Sequence, residues 1–157
     1  MKFQFWSIGK PHEAYVKAGI EDFTKRINNY FGAEWRIIAP PKNAGSLSES
    51  DAKKAEAQLV LPLLQKDDLL LLLDERGKQF SSPELAQWIQ QKANESTKRI
   101  IFLIGGAFGV DDSVMKRADH TWSFSKLVFP HMLVRLILAE QVYRACTIMR
   151  NEKYHHL

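Results

Sequence analysis

The sequence has almost no cysteine and no long hydrophobic run. Its one cysteine, Cys146, cannot form a disulfide within the chain and excludes a cysteine-rich metal site. Because it lies in an apolar helical stretch, we expect it to be a small buried side chain. The longest purely aliphatic run, Leu69–Leu73, is far below the roughly 20 residues that a membrane helix needs. The N-terminus is too short and too alternating for a signal peptide. We therefore expect a cytoplasmic protein with no metal and no membrane partner.

The sequence also lacks the glycine-rich motifs that bind nucleotide phosphates. Neither GxGxxG nor GxxxxGK followed by Ser or Thr occurs, which argues against a dinucleotide enzyme and a P-loop NTPase. Internal repeats and low-complexity tracts are missing too, so the 157 residues predict a single domain, 1–157. The net charge of +4 favours a polyanionic partner only weakly.

What the sequence does contain is an alternation of strand-like and helix-like segments. Strands are predicted at 2–8, 34–39, 69–73, 99–104 and 120–123, and helices at 12–30, about 50–64, from 81, 111–118 and 130–150. Ser48 and Ser50 both suit the start of the second helix. Leu69–Leu73 and Arg99–Ile104 show no polar alternation, which is typical of strands covered on both faces. This order predicts an α/β fold with a mostly parallel sheet flanked by helices.

Three predicted strand ends carry candidate site residues, because ligands of open parallel sheets bind beyond the carboxyl ends of the strands. Gly105–Gly106 either lets a ligand approach the backbone or forms a plain turn. Asp74–Lys78 offers paired carboxylates for Mg²⁺ or a ribose hydroxyl, although a solvated polar turn is the simpler interpretation. The loop 124–129 suits a purine ring, unless its two phenylalanines pack into the core.

The helix after Pro130 is apolar on almost every side and yet carries three charged residues. Such a helix is buried on more than one face, so each charge needs a partner or a function. Glu140 and Arg144 are four residues apart and could simply form an ion pair. Arg135 could likewise satisfy a carboxyl group or a helix C-terminus. Alternatively, Arg135 and Arg144 face a phosphate backbone beside a carboxylate that can handle a proton. The C-terminal Tyr154–His155 could stack on a base and titrate near neutral pH.

Five motifs occur in an order and at spacings that closely resemble the RlmH family. They are Leu71-Leu72-Leu73-Asp74, Leu103-Ile104-Gly105-Gly106, the segment from Ser123 to His131 (SFSKLVFPH), Leu133-Val134-Arg135 followed by the segment from Ala139 to Ala145 (AEQVYRA), and Tyr154-His155. That family comprises small SPOUT-class methyltransferases that act on large-subunit ribosomal RNA. The likeness covers the whole chain.

The resemblance implies a C-terminal trefoil knot, a homodimer and S-adenosylmethionine as methyl donor, with no metal. It implies that the donor contacts the three strand ends, at Leu73, Gly105, Phe124, Ser125, Lys126, Leu127, Val128 and Phe129. The acceptor would be N3 of a pseudouridine in 23S ribosomal RNA, within the assembled ribosome. Two rivals remain: a non-catalytic RNA-binding or ribosome-binding dimer that kept the fold, and a binding protein for another adenine nucleotide.

Roles for the charged residues follow from the same resemblance. Glu140 or His155 would assist removal of the N3 proton, in a catalytic group completed by Arg144 and Tyr154. Tyr154 and His155 would reach the site of the other subunit. Contacts with RNA are expected from Arg135, Lys126 and His131.

Overall fold

Strands and helices alternate along residues 1–156, the part of the chain that the computed structural model describes. The elements are β1 (Lys2–Ile8), α1 (Ala14–Ile27), β2 (Gly32–Ile38), α2 (Glu49–Val60), β3 (Leu69–Gln79), α3 (Ser82–Asn94), β4 (Arg99–Ile104), α4 (Asp112–Arg117), β5 (His120–Ser123) and α5 (His131–Met149). Short 3₁₀ turns occupy Ala44–Ser46 and Leu61–Leu63. Each predicted element is present, and most boundaries agree within three residues.

The five strands form one sheet in the order β2-β1-β4-β3-β5, and every strand pairing is parallel. The three inner strands are almost wholly buried, apart from the end of β3. The parallel pairings confirm the prediction of a parallel sheet. Runs such as Leu69–Leu73 lack polar alternation because both of their faces are covered.

Helices cover both faces of this sheet. One face packs Phe3, Phe5 and Phe102 against α1, α3 and α5. The other packs Trp6 and Leu72, with their neighbours, against α2 and α4. Residues that alternate along β1 thus enter different cores, as the two-residue period of a strand requires.

Helix α5 lies between α1 and α3, and every one of its residues is at least partly buried. This confirms the prediction of a helix buried on more than one face. Because neighbours within the chain already cover it, α5 by itself does not require a second subunit. Along residues 1–156, no helix combines the length and the apolar character needed to span a bilayer.

Side chains cap two helices as their sequences indicate. Ser48, rather than Ser50, accepts a hydrogen bond from the Asp51 N–H and begins α2. Ser81 and Glu84 form a capping box at the start of α3. Helix α5 begins at His131, with Pro130 as its N-terminal cap instead of its first residue.

The prediction that β3 ends at Leu73 is wrong. The strand continues to Gln79, and Leu73 and Lys78 both pair with Trp122 of β5. Residues 74–77 are therefore extra on the β3 side and form a bulge. The polar residues that suggested a turn do interrupt the pairing of β3 with β5, but the pairing resumes at Lys78.

Candidate active site

A cleft of about 570 Å³ opens at the carboxyl ends of β3, β4 and β5. Its walls are three segments that leave these strands, together with the first turn of α5. The lining residues are Lys53, Leu73–Arg76, Ile104–Val110, Asp112, Trp122–Ser125, Leu127–Phe129, His131 and Val134. This volume lies within the range of pockets for nucleoside-sized ligands. All three strand ends selected from the sequence therefore meet in one place.

The first wall is the tight loop 105–110, which contains three glycines. The Gly109 N–H donates to the Gly106 carbonyl over 3.1 Å, and Gly109 has a φ of +85°. A Cβ on Gly105 would lie 2.8 Å from Cγ1 of Val110. Glycine at these positions therefore permits both the turn and its close packing.

The second wall is the segment 122–129, held in shape by its own hydrogen bonds. The Ser123 hydroxyl donates to the Ser125 carbonyl over 3.1 Å, and the Leu127 N–H donates to the Ser125 hydroxyl over 3.0 Å. Phe124 packs edge-on against Trp122 with ring centroids 4.7 Å apart. Leu127 and Val128 remain 71% and 84% exposed, so they form an apolar rim.

The third wall is the bulge of β3, which sequence interpretation assigned to a solvated turn. Arg76 donates to both oxygens of Asp74, from Nε over 2.9 Å and from Nη2 over 3.0 Å. The guanidinium holds the pKa of the Asp74 carboxyl below its ordinary value. This charged pair thus lines the cleft, together with the charged residues Lys53, Glu75 and Asp112.

The cleft contains seven of the eight residues predicted to contact the methyl donor; Lys126 is the exception, because its side chain is exposed outside the lining. His131, predicted to contact RNA, also lines the cleft, and burial lowers its pKa. The functional roles of these residues stay predictions.

The second group predicted to be catalytic assembles on α5 and the C-terminal segment. Arg144 Nε donates to Oε1 of Glu140 over 3.0 Å, and the Tyr154 hydroxyl donates to the same oxygen over 3.0 Å. The Arg144 guanidinium carbon lies 4.7 Å from the centroid of the Tyr154 ring. Burial and Glu140 raise the pKa of Tyr154. None of these residues lines the cleft of the same chain.

His155 completes this C-terminal cluster of Glu140, Arg144, Tyr154 and His155. Nη1 of Arg144 lies 3.2 Å from Nδ1 of His155. A guanidinium only donates hydrogen bonds, so Nδ1 accepts and the ring proton is on Nε2. Nε2 is buried and has no hydrogen-bond partner within residues 1–156. The cluster therefore presents an unused donor, and the basic nitrogen of its imidazole is already occupied.

Arg135 does not meet the expectation of a phosphate contact. Its side chain is only 1% exposed. Nε donates to the Ser7 hydroxyl over 2.9 Å, Nη1 donates to the Lys10 carbonyl over 2.8 Å, and Nη1 lies 3.2 Å from His12 Nδ1. The guanidinium ties α5 to the β1–α1 connection, and burial lowers its pKa. RNA cannot reach it without rearrangement of the fold.

Arg135→Ala should therefore affect stability and not RNA binding. The substitution removes the partners of Ser7 and Lys10 and leaves a cavity, so we expect the free energy of unfolding to fall by about 3 kcal/mol. Urea unfolding at one fixed protein concentration measures this. Arg150→Ala, at the exposed end of α5, is the control and should cost less than about 1 kcal/mol. If Arg135→Ala instead kept normal stability and weakened ribosome binding, the original prediction that Arg135 contacts RNA would be supported.

Sequence interpretation gave no site role to Lys53, Phe108 and Asp112, which also line the cleft. It did name Asp74–Lys78 as a possible ligand site, but it preferred a solvated polar turn there. The signal for the bulge was available, since its charged residues follow a buried strand that ends at the same sheet edge as Gly105. No local signal marks Lys53, which comes from α2 on another part of the chain.

Comparison with known proteins gives a consistent result. Residues 1–155 match the family described as "Predicted SPOUT methyltransferase". A protein of Cytophaga hutchinsonii named "Ribosomal RNA large subunit methyltransferase H" is 48% identical over 99% of this chain and 100% of its own length. A protein of Christiangramia forsetii with the same name is 42% identical over 99% of each chain. A crystal structure of a probable methyltransferase from Bordetella pertussis superposes with a TM-score of 0.58, covering 92% of this chain and 94% of the other. At 9% identity, that likeness concerns the fold alone.

Proposed function

Because the chain belongs to the family of SPOUT methyltransferases, we propose that it transfers a methyl group from S-adenosylmethionine to large-subunit ribosomal RNA. Membership confirms the resemblance recognised in the five motifs. The single observation that carries the proposal is the cleft at the carboxyl ends of β3, β4 and β5, which has the size and the walls that a nucleoside derivative needs.

The residues of the cleft fit the donor. Backbone groups of the loop 105–110 and of the segment 124–129 suit the adenine edge, and the apolar side chains of Phe124 and Leu127 suit its faces. The charged side chains of the bulge suit the amino and carboxylate groups of the methionyl end. S-adenosylmethionine supplies an electrophilic methyl group on a sulfonium, which leaves as a neutral thioether.

We propose N3 of a pseudouridine in 23S ribosomal RNA as the acceptor. This nitrogen carries a weakly acidic proton that must leave before or during attack. Glu140 and His155 are both candidates for the general base, and each already has Arg144 as a partner: Oε1 of Glu140 accepts from Arg144 Nε, and Nδ1 of His155 lies 3.2 Å from Arg144 Nη1. Arg144 would stabilise the negative charge that develops on the pseudouridine ring when its N3 proton leaves, and the Tyr154 ring would stack on the pseudouridine. The protein then acts mainly by positioning the two reactants.

A homodimer with composite sites accounts for the separation of cluster and cleft. Neither Glu140 nor Arg144 lines the cleft of its own chain, so a second subunit would bring its cluster to this cleft. The exposed apolar rim of Leu127, Val128 and Phe108 (51% exposed) supports such an interface.

We further propose the C-terminal trefoil knot, in which α5 follows the segment 124–129 past the loop 105–110. An enzyme acting on assembled ribosomes would be cytoplasmic.

Methylation of whole ribosomes tests this function. The protein is incubated with isotopically labelled S-adenosylmethionine and with ribosomes from a strain that lacks this enzyme, in parallel with deproteinised ribosomal RNA. We expect label in 3-methylpseudouridine, and only in the ribosome sample. Glu140→Gln should lose most of this label while donor binding is kept.

Other outcomes separate the rivals. Donor binding without any label would indicate a different acceptor. No donor binding, with ribosome binding intact, would favour a non-catalytic dimer that kept the fold. Displacement of the donor by ATP at similar concentration would favour a binding protein for another adenine nucleotide.

A further inference from the structure

The loop 105–110 rests on Glu56, a side chain of α2 that the chemistry above does not use. A Cβ built on Gly106 would lie 2.6 Å from Oε2 and 2.9 Å from Cδ of Glu56. The carboxylate is therefore pressed against the backbone of the loop, and it would have to move before a residue with a Cβ could occupy position 106. The φ of Gly106 is not in the left-handed region, so the requirement for glycine is one of space.

The surroundings of Glu56 indicate that the loop is its partner. Its side chain is half-buried, and none of the ion pairs found within residues 1–156 includes it. Burial raises the pKa of the carboxyl, while the backbone N–H of Gly106 lowers it. A half-buried carboxylate without a cation is costly unless polar groups face it, and the group packed against this carboxylate is Gly106 of the loop.

We propose that Glu56 is a positioning residue that holds the loop 105–110 in the shape that binds S-adenosylmethionine. Gly106 pairs with Gly109 across the turn, so fixing Gly106 also fixes Gly105 and Val110 on the cleft wall. A loop that is already ordered binds its ligand without the entropy loss of ordering. The inference rests on the proposed function, because it assigns this loop to the methyl donor.

A double-mutant cycle on Glu56 and Gly106 tests the inference. Glu56→Ala removes the support, and Gly106→Ala introduces a methyl group that collides with the carboxylate. Each should raise the Kd for S-adenosylmethionine roughly tenfold, because a loop that is no longer held must be ordered when the donor binds. The double variant should show far less than the product of the two effects, because removal of the carboxylate makes room for the Cβ. Glu56→Gln keeps an acceptor oxygen and should stay within about threefold of the unmodified protein.

Hydrogen exchange of the backbone amides provides a readout that does not depend on the donor. In the free protein, Glu56→Ala should accelerate exchange in the loop 105–110 about tenfold and leave β1 and β4 unchanged. The matched controls are Gln58→Ala, exposed on the same helix, and Gly45→Ala, where an added Cβ would have no atom within 4 Å. Neither control should alter exchange or affinity.

Three results would overturn the inference. They are unchanged loop exchange in Glu56→Ala, strictly multiplicative effects in the cycle, and faster exchange throughout the molecule, which indicates a general role in stability. Failure of the proposed function looks different: the unmodified protein would not bind S-adenosylmethionine, while the exchange experiment would still report whether Glu56 holds the loop.

Discussion

Arg144→Ala should lower kcat for ribosome methylation by about 100-fold, comparable to the loss of one preorganised donor from an active site. Arg144 is the centre of the C-terminal cluster, because it donates to Glu140, lies beside Nδ1 of His155 and packs on the ring of Tyr154. Its loss frees the tail and removes a positive charge from the proposed acceptor site. Stability should fall by about 2 kcal/mol, because the side chains of Arg144 and Glu140 are only 25% and 19% exposed and Oε1 of Glu140 loses a hydrogen-bond donor.

Arg26→Ala is a matched control for this substitution. Arg26 also pairs with a carboxylate four residues away, Asp22, and also lies over a tyrosine ring, that of Tyr143 at 5.5 Å. It should keep kcat within about twofold, as surface substitutions usually do. Arg144→Ala with more than half of the original kcat would remove Arg144 from the catalytic group.

Mixed dimers test the homodimer proposed above, because they show whether the cluster acts on its own chain or on the partner. Gly105→Leu blocks the cleft, since even a Cβ there lies 2.8 Å from Val110. A dimer of one Arg144→Ala chain and one Gly105→Leu chain contains an intact site only when the cluster serves the other subunit. Activity should therefore reappear on mixing two inactive proteins. No recovery in verified mixed dimers would contradict the composite site.

Gly77→Ala should lower the free energy of unfolding by about 3 kcal/mol, a large effect for one added methyl group. Gly77 ends the bulge of β3, and a Cβ there would lie 2.6 Å from the carbonyl carbon of Thr121 and 2.6 Å from the nitrogen of Trp122. These are backbone atoms of β5, which cannot turn aside as a side chain can. For a domain of this size the melting temperature should fall by roughly 6–12 °C.

Thermal unfolding, with Gly45→Ala as control, measures this effect. A Cβ added at Gly45 would have no neighbour within 4 Å, so this substitution should leave the melting temperature nearly unchanged. Gly77→Ala should also weaken donor binding, because the bulge carries Asp74 and Arg76 into the cleft. An unchanged melting temperature would mean that β5 can move away from β3 at little cost.

Local physical chemistry made the elements of this fold predictable from the sequence. Apolar runs without alternation predicted the buried parallel strands, and Ser48 was one of two residues predicted to begin α2. The family resemblance, carried by the motifs at the strand ends, implied eight donor contacts, and seven of these residues line the cleft. Each of these signals involves only a few neighbouring residues, so it can be interpreted from the sequence without knowledge of the tertiary structure.

Only the tertiary structure shows which groups the charged side chains contact. Arg135 carries a charge that suggested a phosphate contact, but its partners Ser7 and Lys10 are more than 120 residues away in sequence. Likewise, Glu56 is an ordinary helical residue until the packing of α2 brings it against Gly106. The bulge at 74–77 exists because β5 pairs with both sides of it. Such contacts depend on the strand order and on helix packing, which bring distant segments together, so no local pattern in the sequence reveals them.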